Sequence, residues 1–406
     1  MEESNNIDKC TMCGSPIVGQ GIKGVNGSIC PKCANTIHDI IDQISKTDDN
    51  HNQSISFEDL PKPVEIKEYL DKYVIGQDRA KMVVCTAVYN HFKRISQPDT
   101  KDDVDIEKSN ILMEASSGTG KTLIAKTIAQ YLNVPFAIAD ATTLTESGYV
   151  GEDVESILTR LLQNANYDVE AAEHGIIFID EIDKIARKGG DNPSITRDVS
   201  SEGVQQGLLK LLEGSDVLVP PNGGRKHPDQ KMIKVNTKNI LFICGGAFEG
   251  IEKIVARRLN NKVIGYDQSK SVEIPDNQIR RYVNALDLKK FGIIPEILGR
   301  LPVITYLDDL DKSALKRILT EPKNALIRQY TKLLKLDGIE LKFNNNVIDY
   351  IVDKAEEFKL GARGLRGIVE NIMMETMFNA PTTDKKEIVI TLKYAKEQLR
   401  KANMEK

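Results

Sequence analysis

The chain has 406 residues and a net charge of −4, with 28% charged and 40% hydrophobic residues, which suits two or three domains with cores of their own. Such a balance gives no broad basic surface for nucleic acid or anionic membrane, and no run reaches the roughly 18 apolar residues of a membrane span. The polar N-terminus, Met1 to Asn6, lacks the basic and apolar parts of a signal peptide, so a cytoplasmic protein is expected.

In chain order, the first signal is Cys10-x-x-Cys13 followed by Cys30-x-x-Cys33. Each CxxC bends two sulfurs onto one ion, and the doubled spacing reads as a tetrahedral zinc–thiolate site. Disulfides or a redox CxxC are the alternatives. The rest of residues 1–33 is poor in apolar side chains, so the metal is expected to supply much of the folding energy. Cys85 and Cys244 sit in apolar stretches and read as inert core thiols. Residues 34–46 carry Ile37, Ile40, Ile41 and Ile44 at helical spacing, an apolar stripe that needs a partner and points to self-association. Residues 47–56 are polar throughout and read as a linker.

Pro61 and Pro63 restart the ordered chain, and a helix is expected from Asp78 to about Ser96. From Ser109 strands and helices alternate: Ile111–Met113, a helix to Leu132, Val134–Ala139, a helix Asp153–Asn164, Ile176–Ile179, a helix from about Glu202 to Leu212, and Asn239–Cys244. That alternation predicts a parallel sheet covered on both faces. Residues 186–201 and Pro220–Asp229 read as long exposed loops. A strand over Pro302–Tyr306 leads to a hinge at 307–311. A second, smaller α+β domain follows, with strand-like runs at Ile339–Phe343 and Ile388–Leu392.

The chain is organised around Ala115-Ser116-Ser117-Gly118-Thr119-Gly120-Lys121-Thr122, placed between a strand and a helix that begins with Leu123. This is the context of a P-loop: bared backbone N–H groups and a helix N-terminus meet phosphate, Lys121 reaches the β- and γ-phosphates, and the Thr122 hydroxyl ligates Mg²⁺. Two positions depart from the usual pattern. Ala115 replaces the opening glycine and fits only if its φ is negative. Glu114 is an acid at the end of a buried strand, expected either to weaken nucleotide binding or to turn outward to solvent. Downstream, Gly175 to Glu181 is an apolar strand ending in two acids. Asp180 is placed to hold the Mg²⁺ shell and Glu181 to polarise the attacking water. No HExxH or Gly-x-Ser-x-Gly pattern occurs, so the chain shows no protease chemistry of its own.

From the paired CxxC motifs to Gly361-Ala362-Arg363-Gly364-Leu365-Arg366, and through Leu70–Gln77, Gly148–Gly151, Phe178–Ile185, Asp198–Gln206, Gly223–Pro228, Phe242–Phe248 and Pro295–Pro302, the chain closely resembles the ClpX family, the AAA+ unfoldase subunits of the Clp protease. The resemblance implies an α/β AAA+ module at 61–308 and a small domain at 309–406. Ahead of them it implies a four-cysteine zinc domain at 1–46 and a linker at 47–60. It further implies a homohexamer that hydrolyses ATP at its interfaces to unfold tagged or adaptor-delivered proteins, feeding them to a ClpP-type peptidase. Val74 and Ile75 resemble the residues that bracket adenine, Arg300 the arginine finger offered to the neighbour, and Arg363 the sensor-2 arginine. Tyr149 and Val150 resemble the gripping pore loop, and Arg197 with Asp198 the second one. Arg225, Lys226 and His227 resemble the basic loop at the ring entrance. Ile264-Gly265-Tyr266 stands where the family docks its peptidase through Ile-Gly-Phe, and the added hydroxyl of Tyr266 is expected to weaken that contact in a dry pocket. Neither nucleic acid nor membrane is expected as a partner. Two rival readings remain at this stage: a nucleic-acid remodelling ATPase, and a nucleotide-binding scaffold whose hydrolysis is crippled by Glu114 and Ala115.

Overall fold

The computed structural model describes residues 9–17, 22–24, 27–36, 59–97, 104–145, 152–187, 199–221, 232–260, 276–358 and 361–404. The chain divides into two units, Met1–Ser56 and Phe57–Lys406. In the first unit, β1 (Ile22–Gly24) pairs antiparallel with β2 (Gly27–Ile29), and residues 31–36 are helical. Among its described residues the only buried apolar side chains are Cys10 and Cys30. The isoleucine stripe expected over 34–46 lies outside the described residues from position 37 on.

The second unit is built on continuous apolar runs, the pattern of strands covered on both faces. These are β3 (Ile111–Glu114), β4 (Phe136–Asp140), β7 (Ile176–Asp180), β10 (Leu241–Gly246) and β11 (Val303–Tyr306); between them lie the short pairs β5 (Leu144–Thr145) with β6 (Glu152–Asp153), and β8 (Asp216–Val219) with β9 (Ile233–Asn236). The main sheet has the order β11-β3-β10-β7-β4 with every neighbouring pair parallel. After β3 the chain crosses to the far edge to form β4, and β7 and β10 then fill back toward β3. The carboxyl end of β3, between β10 and β11, is therefore where an open α/β sheet offers a crevice for ligands. The core runs through Leu112, Ile177, Ile179, Phe242 and Cys244 to the helices Ser156–Asn164 and Val199–Glu213. Burial raises the Cys85 and Cys244 thiols to about 12, as expected of inert core residues.

Beyond Asp311, the α-helices Lys312–Thr320, Leu326–Leu336, Asn345–Glu357, Gly361–Asn379 and Leu392–Lys401 surround a core of their own. A parallel pair completes this part, β12 (Glu340–Phe343) with β13 (Glu387–Ile390). The 307–311 connection is pinned at its start: the Leu307 N–H donates to the Glu114 carbonyl at 3.0 Å, and Gln77 exchanges two hydrogen bonds with the Asp308 backbone.

Several expectations shift. The helix Pro63–Asp71 went unread because only Ile66 and Leu70 are buried on it. Its start is set instead by Pro63 at the first turn and by Glu65, which accepts from the Lys62 N–H at 2.8 Å. The β8–β9 hairpin also went unread; the long 220–229 segment lies between its strands, so no short turn signal marks it. The 186–201 loop is shorter than expected at its far end, where a helix begins at Val199, and the expected Asp153 helix begins at Ser156.

Candidate active site

The β3 strand delivers the phosphate-loop sequence directly into the crevice. Gly118 and Gly120 take left-handed φ values of 82° and 111°, which only glycine adopts cheaply, and the helix Lys121–Leu132 starts at once. Ala115 is fully buried and is absent from the residues with positive φ, so its methyl group fits the loop. The Thr119 hydroxyl donates to the Ser116 carbonyl at 2.9 Å and braces the turn. The Lys121 ammonium donates to the carbonyls of Ala115 at 2.6 Å and Ser116 at 3.1 Å; burial pushes its pKa down, while Asp180, Asp183 and Glu114 pull the other way.

The β7 strand ends beside this loop. The Thr122 hydroxyl lies 3.4 Å from Asp180 Oδ2, close to the ~3 Å edge that an octahedral Mg²⁺ with ligands near 2.1 Å spans. These two oxygens fit the ion. The Glu181 N–H donates to Asp180 Oδ1 at 3.0 Å, and Glu181 itself has a φ of 56°. A non-glycine residue held there stores about 1–3 kcal/mol of strain, a cost that clusters at functional positions.

These groups line one cleft of about 620 Å³ with residues from the far domain, Arg363 and Arg366 among them. Both arginines are on the helix Gly361–Asn379, whose first residue lies against the Ser117 carbonyl: a Cβ at Gly361 would sit 3.6 Å from it. Leu123, Ser117, Gly118, Gly120, Lys121, Thr122, Asp180 and Glu181 all line the cleft; Ala115, Ser116 and Thr119 shape the loop behind it. Val74 and Ile75 are buried core and do not line the cleft, whereas their neighbour Tyr73 does. Asp183 and Ala247 were given no role from sequence. Asp183 is buried, lines the cleft and accepts from the Ala247 N–H at 3.0 Å. Three residues after Asp180, on a single helical turn, it carried no signal to separate it from a solvated acid.

Glu114 corrects the expectation that it turns outward. It is fully buried and bonded to Arg280 at 2.5 Å. The energetic reason is the guanidinium: a buried carboxylate is tolerated only with a cation in place. Arg300 ends the helix Pro295–Arg300, is about half exposed, pairs with Glu213 at 3.2 Å and does not line its own chain's cleft. Tyr149, Val150, Arg197, Asp198, Arg225, Lys226, His227, Ile264, Gly265 and Tyr266 lie outside the described residues.

In the first unit the sulfurs of Cys10, Cys13, Cys30 and Cys33 all lie within 4.8 Å of one another. The Cys13–Cys30 separation of 3.8 Å equals the edge of a thiolate tetrahedron with Zn–S near 2.3 Å, about 3.8 Å. The Cys30 N–H donates to Cys10 Sγ at 3.3 Å, and backbone hydrogen bonds from Cys30, then Cys13 and Met12, together lower that thiol to about 6. Hydrogen bonding to the Cys13 and Cys30 sulfurs, with burial behind it, raises Cys33 to about 12. Four sulfurs this close cannot all ionise unless a cation neutralises them, so the donor set fits zinc.

Comparison with known proteins agrees. Residues 106–304 match the family model described as AAA domain (Cdc48 subfamily), and residues 310–391 match the C-terminal, D2-small domain, of ClpB protein. A Bacteroides thetaiotaomicron protein named ATP-dependent Clp protease ATP-binding subunit ClpX is 62% identical over 409 residues, covering 100% of this chain and 99% of its own length. Proteins of the same name from Porphyromonas gingivalis and Treponema denticola are 57% identical (98% of each chain covered) and 52% identical (95% of this chain, 93% of theirs). With an AAA module in place and relatives this similar from end to end, the chain belongs to the ClpX family: it is an AAA+ ATPase of the Clp system and not itself a protease.

Proposed function

We propose that this chain is an ATP-driven protein unfoldase and translocase that works as a homohexameric ring and hands unfolded polypeptide to a ClpP-type peptidase. The observation that carries the reading is the composition of the cleft: Lys121, Thr122, Asp180 and Glu181 come from one domain and Arg363 from the next. Nucleotide held by both would convert hydrolysis into rotation between them. Bound Mg²⁺ would neutralise phosphate charge; Thr122 and Asp180 hold it, Lys121 holds the phosphates and Glu181 orients the attacking water. Arg300, outside its own chain's cleft, is available to a neighbour's.

Exposed apolar side chains support a ring. Met374 and Phe378 stand one helical turn apart and are 60% and 83% exposed, and Leu336 is 77% exposed; a surface of that kind favours contact with another copy. Tyr149 is the proposed grip on substrate, with Arg225, Lys226 and His227 at the entrance and Ile264, Gly265 and Tyr266 toward the peptidase. The four cysteines hold zinc, and the segment boundaries are those given above (1–46, 47–60, 61–308 and 309–406). The working compartment is the cytoplasm. Among the described residues no helix is long and apolar enough to cross a membrane.

The test is degradation of a stable tagged protein with and without the chain, ATP and a ClpP-type peptidase. Degradation is expected only with all three, and Tyr149→Ala is expected to slow it while ATP hydrolysis continues. Equal degradation without ATP, or a chain that stays monomeric at saturating Mg-nucleotide, refutes the proposal.

A further inference from the structure

Glu114 is the last residue of β3, immediately before the phosphate loop, and it is fully buried. One guanidinium meets it. Arg280, on the short 3-10 segment Asp276–Tyr282, donates through Nη1 to Glu114 Oε1 at 2.5 Å and to the Ala247 carbonyl at 3.2 Å, and through Nε to Glu252 Oε1 at 2.8 Å. A single side chain thus ties together the end of β3, the residue after β10 and the helix Ile251–Asn260.

Of those three segments, the residue after β10 lines the cleft, and the end of β3 runs straight into the phosphate loop. Ala115, next to Glu114, donates its N–H to the Gly246 carbonyl at 3.0 Å and accepts from Lys121 Nζ. Ala247 lines the cleft and donates to Asp183. As a stabilising element the arrangement is poor. Glu114 Oε2 is buried with no hydrogen-bond partner, and well-packed apolar residues in place of a buried ion pair are often as stable or more so. What apolar residues lack is direction. The bonds from Arg280 set the distance between two strand ends, and those strand ends set where the phosphate loop and the Asp183–Ala247 wall meet a nucleotide.

We propose that Arg280, held between Glu114 and Glu252, is a positioning residue for ATP hydrolysis that locks the carboxyl ends of β3 and β10 at the spacing the Mg-nucleotide requires. The inference rests on the cleft being the nucleotide site. A misplacement of about 1 Å in such a site can cost about 100-fold in rate. The strut is also titratable. Burial pushes the Glu114 carboxyl up to about 7, with Arg280 and Lys121 pulling down and Glu252 pushing up; Asp309 acts on Arg280 as well. Its grip therefore weakens as pH falls through about 7.

The full-length chain is assayed for steady-state MgATP hydrolysis, for binding of a fluorescent ADP analogue, and for thermal unfolding. Arg280→Met is expected to lose about tenfold or more in kcat/KM and to lower Tm, since Glu114 is left buried without its cation. The double variant Glu114→Leu/Arg280→Met is expected to regain Tm and yet stay about fivefold or more below the parent in kcat/KM. A pair that serves stability alone predicts that the double variant regains both; that result, or parental kcat/KM in Arg280→Met, overturns the proposal. Glu114→Gln keeps the acceptor and removes the titration. The ratio of the parent's KM to that of Glu114→Gln, in which the titration of ATP itself cancels, is expected to rise as pH drops through about 7, and a flat ratio removes the pH-dependent part. Failure of the parent to bind the ADP analogue would sink the nucleotide-site reading itself, which is distinct from binding that Arg280 does not influence.

Discussion

Replacing Cys13 with serine tests what holds the first unit together. Among its described residues only the Cys10 and Cys30 side chains are buried apolar groups. At about 25 cal/mol per Å² two such side chains contribute no more than a few kcal/mol, while ordering each residue costs about 1–2 kcal/mol in backbone entropy alone. A structural zinc ion in a small thiolate module contributes about 10–16 kcal/mol at neutral pH, which would make a bound metal the largest favourable contribution. Cys13→Ser removes one of four ligands from a cluster whose sulfurs lie within 4.8 Å of one another. The expected result is loss of about one zinc ion per chain by elemental analysis. Amide-exchange protection and protease resistance over residues 9–36 should go with it, while the melting of the second unit, with its own cores, is unchanged. Chelation of the parent should reproduce the effect. A metal-free parent that keeps this region protected, or a Cys13→Ser chain with parental protection there, refutes the reasoning.

Three further outcomes are expected. Glu181→Gln should retain nucleotide and hydrolyse it about 10²–10⁴-fold more slowly, measured by single-turnover hydrolysis; parental turnover would remove Glu181 from the reaction. Arg300→Ala should cut turnover about a thousandfold with little change in Tm, because among the described residues its side chain pairs only with the half-exposed Glu213; a large drop in Tm with normal turnover would make it a structural residue. Burial, with Arg94 and Lys108 nearby, holds His91 down at about 3, while its Nε2 bonds to the Asn239 carbonyl at 2.9 Å and its Nδ1 is buried without a partner. A depressed histidine stabilises the fold above its ordinary value of about 6.5, and that contribution is lost as pH falls toward 3. Denaturation of His91→Gln by urea should accordingly show a flatter pH dependence across that window, and an unchanged slope would assign the acid lability to other groups.

How much was legible before folding differs from element to element. The order of strands and helices could be read because each buried strand is a continuous apolar run, Ile111–Met113 or Ile176–Ile179, and such runs depend on local composition alone. The phosphate loop, the acid pair Asp180–Glu181 and the paired CxxC motifs were legible for the same reason: their ligand atoms are brought together by a few consecutive residues whose geometry the peptide backbone dictates. The sequence by itself therefore determined the ATPase module and named its candidate ligand sets.

Tertiary structure decided what depends on residues far apart in the chain. Glu114 read either as weakening nucleotide binding or as turned to solvent because its partner, Arg280, is 166 positions away. Asp183 lines the cleft and accepts from the Ala247 N–H, 64 positions further along the chain. A buried charge is settled by whichever group the fold places beside it, and local pattern carries no record of that group; distance along the chain, rather than any weakness in the motif, is what hid these contacts.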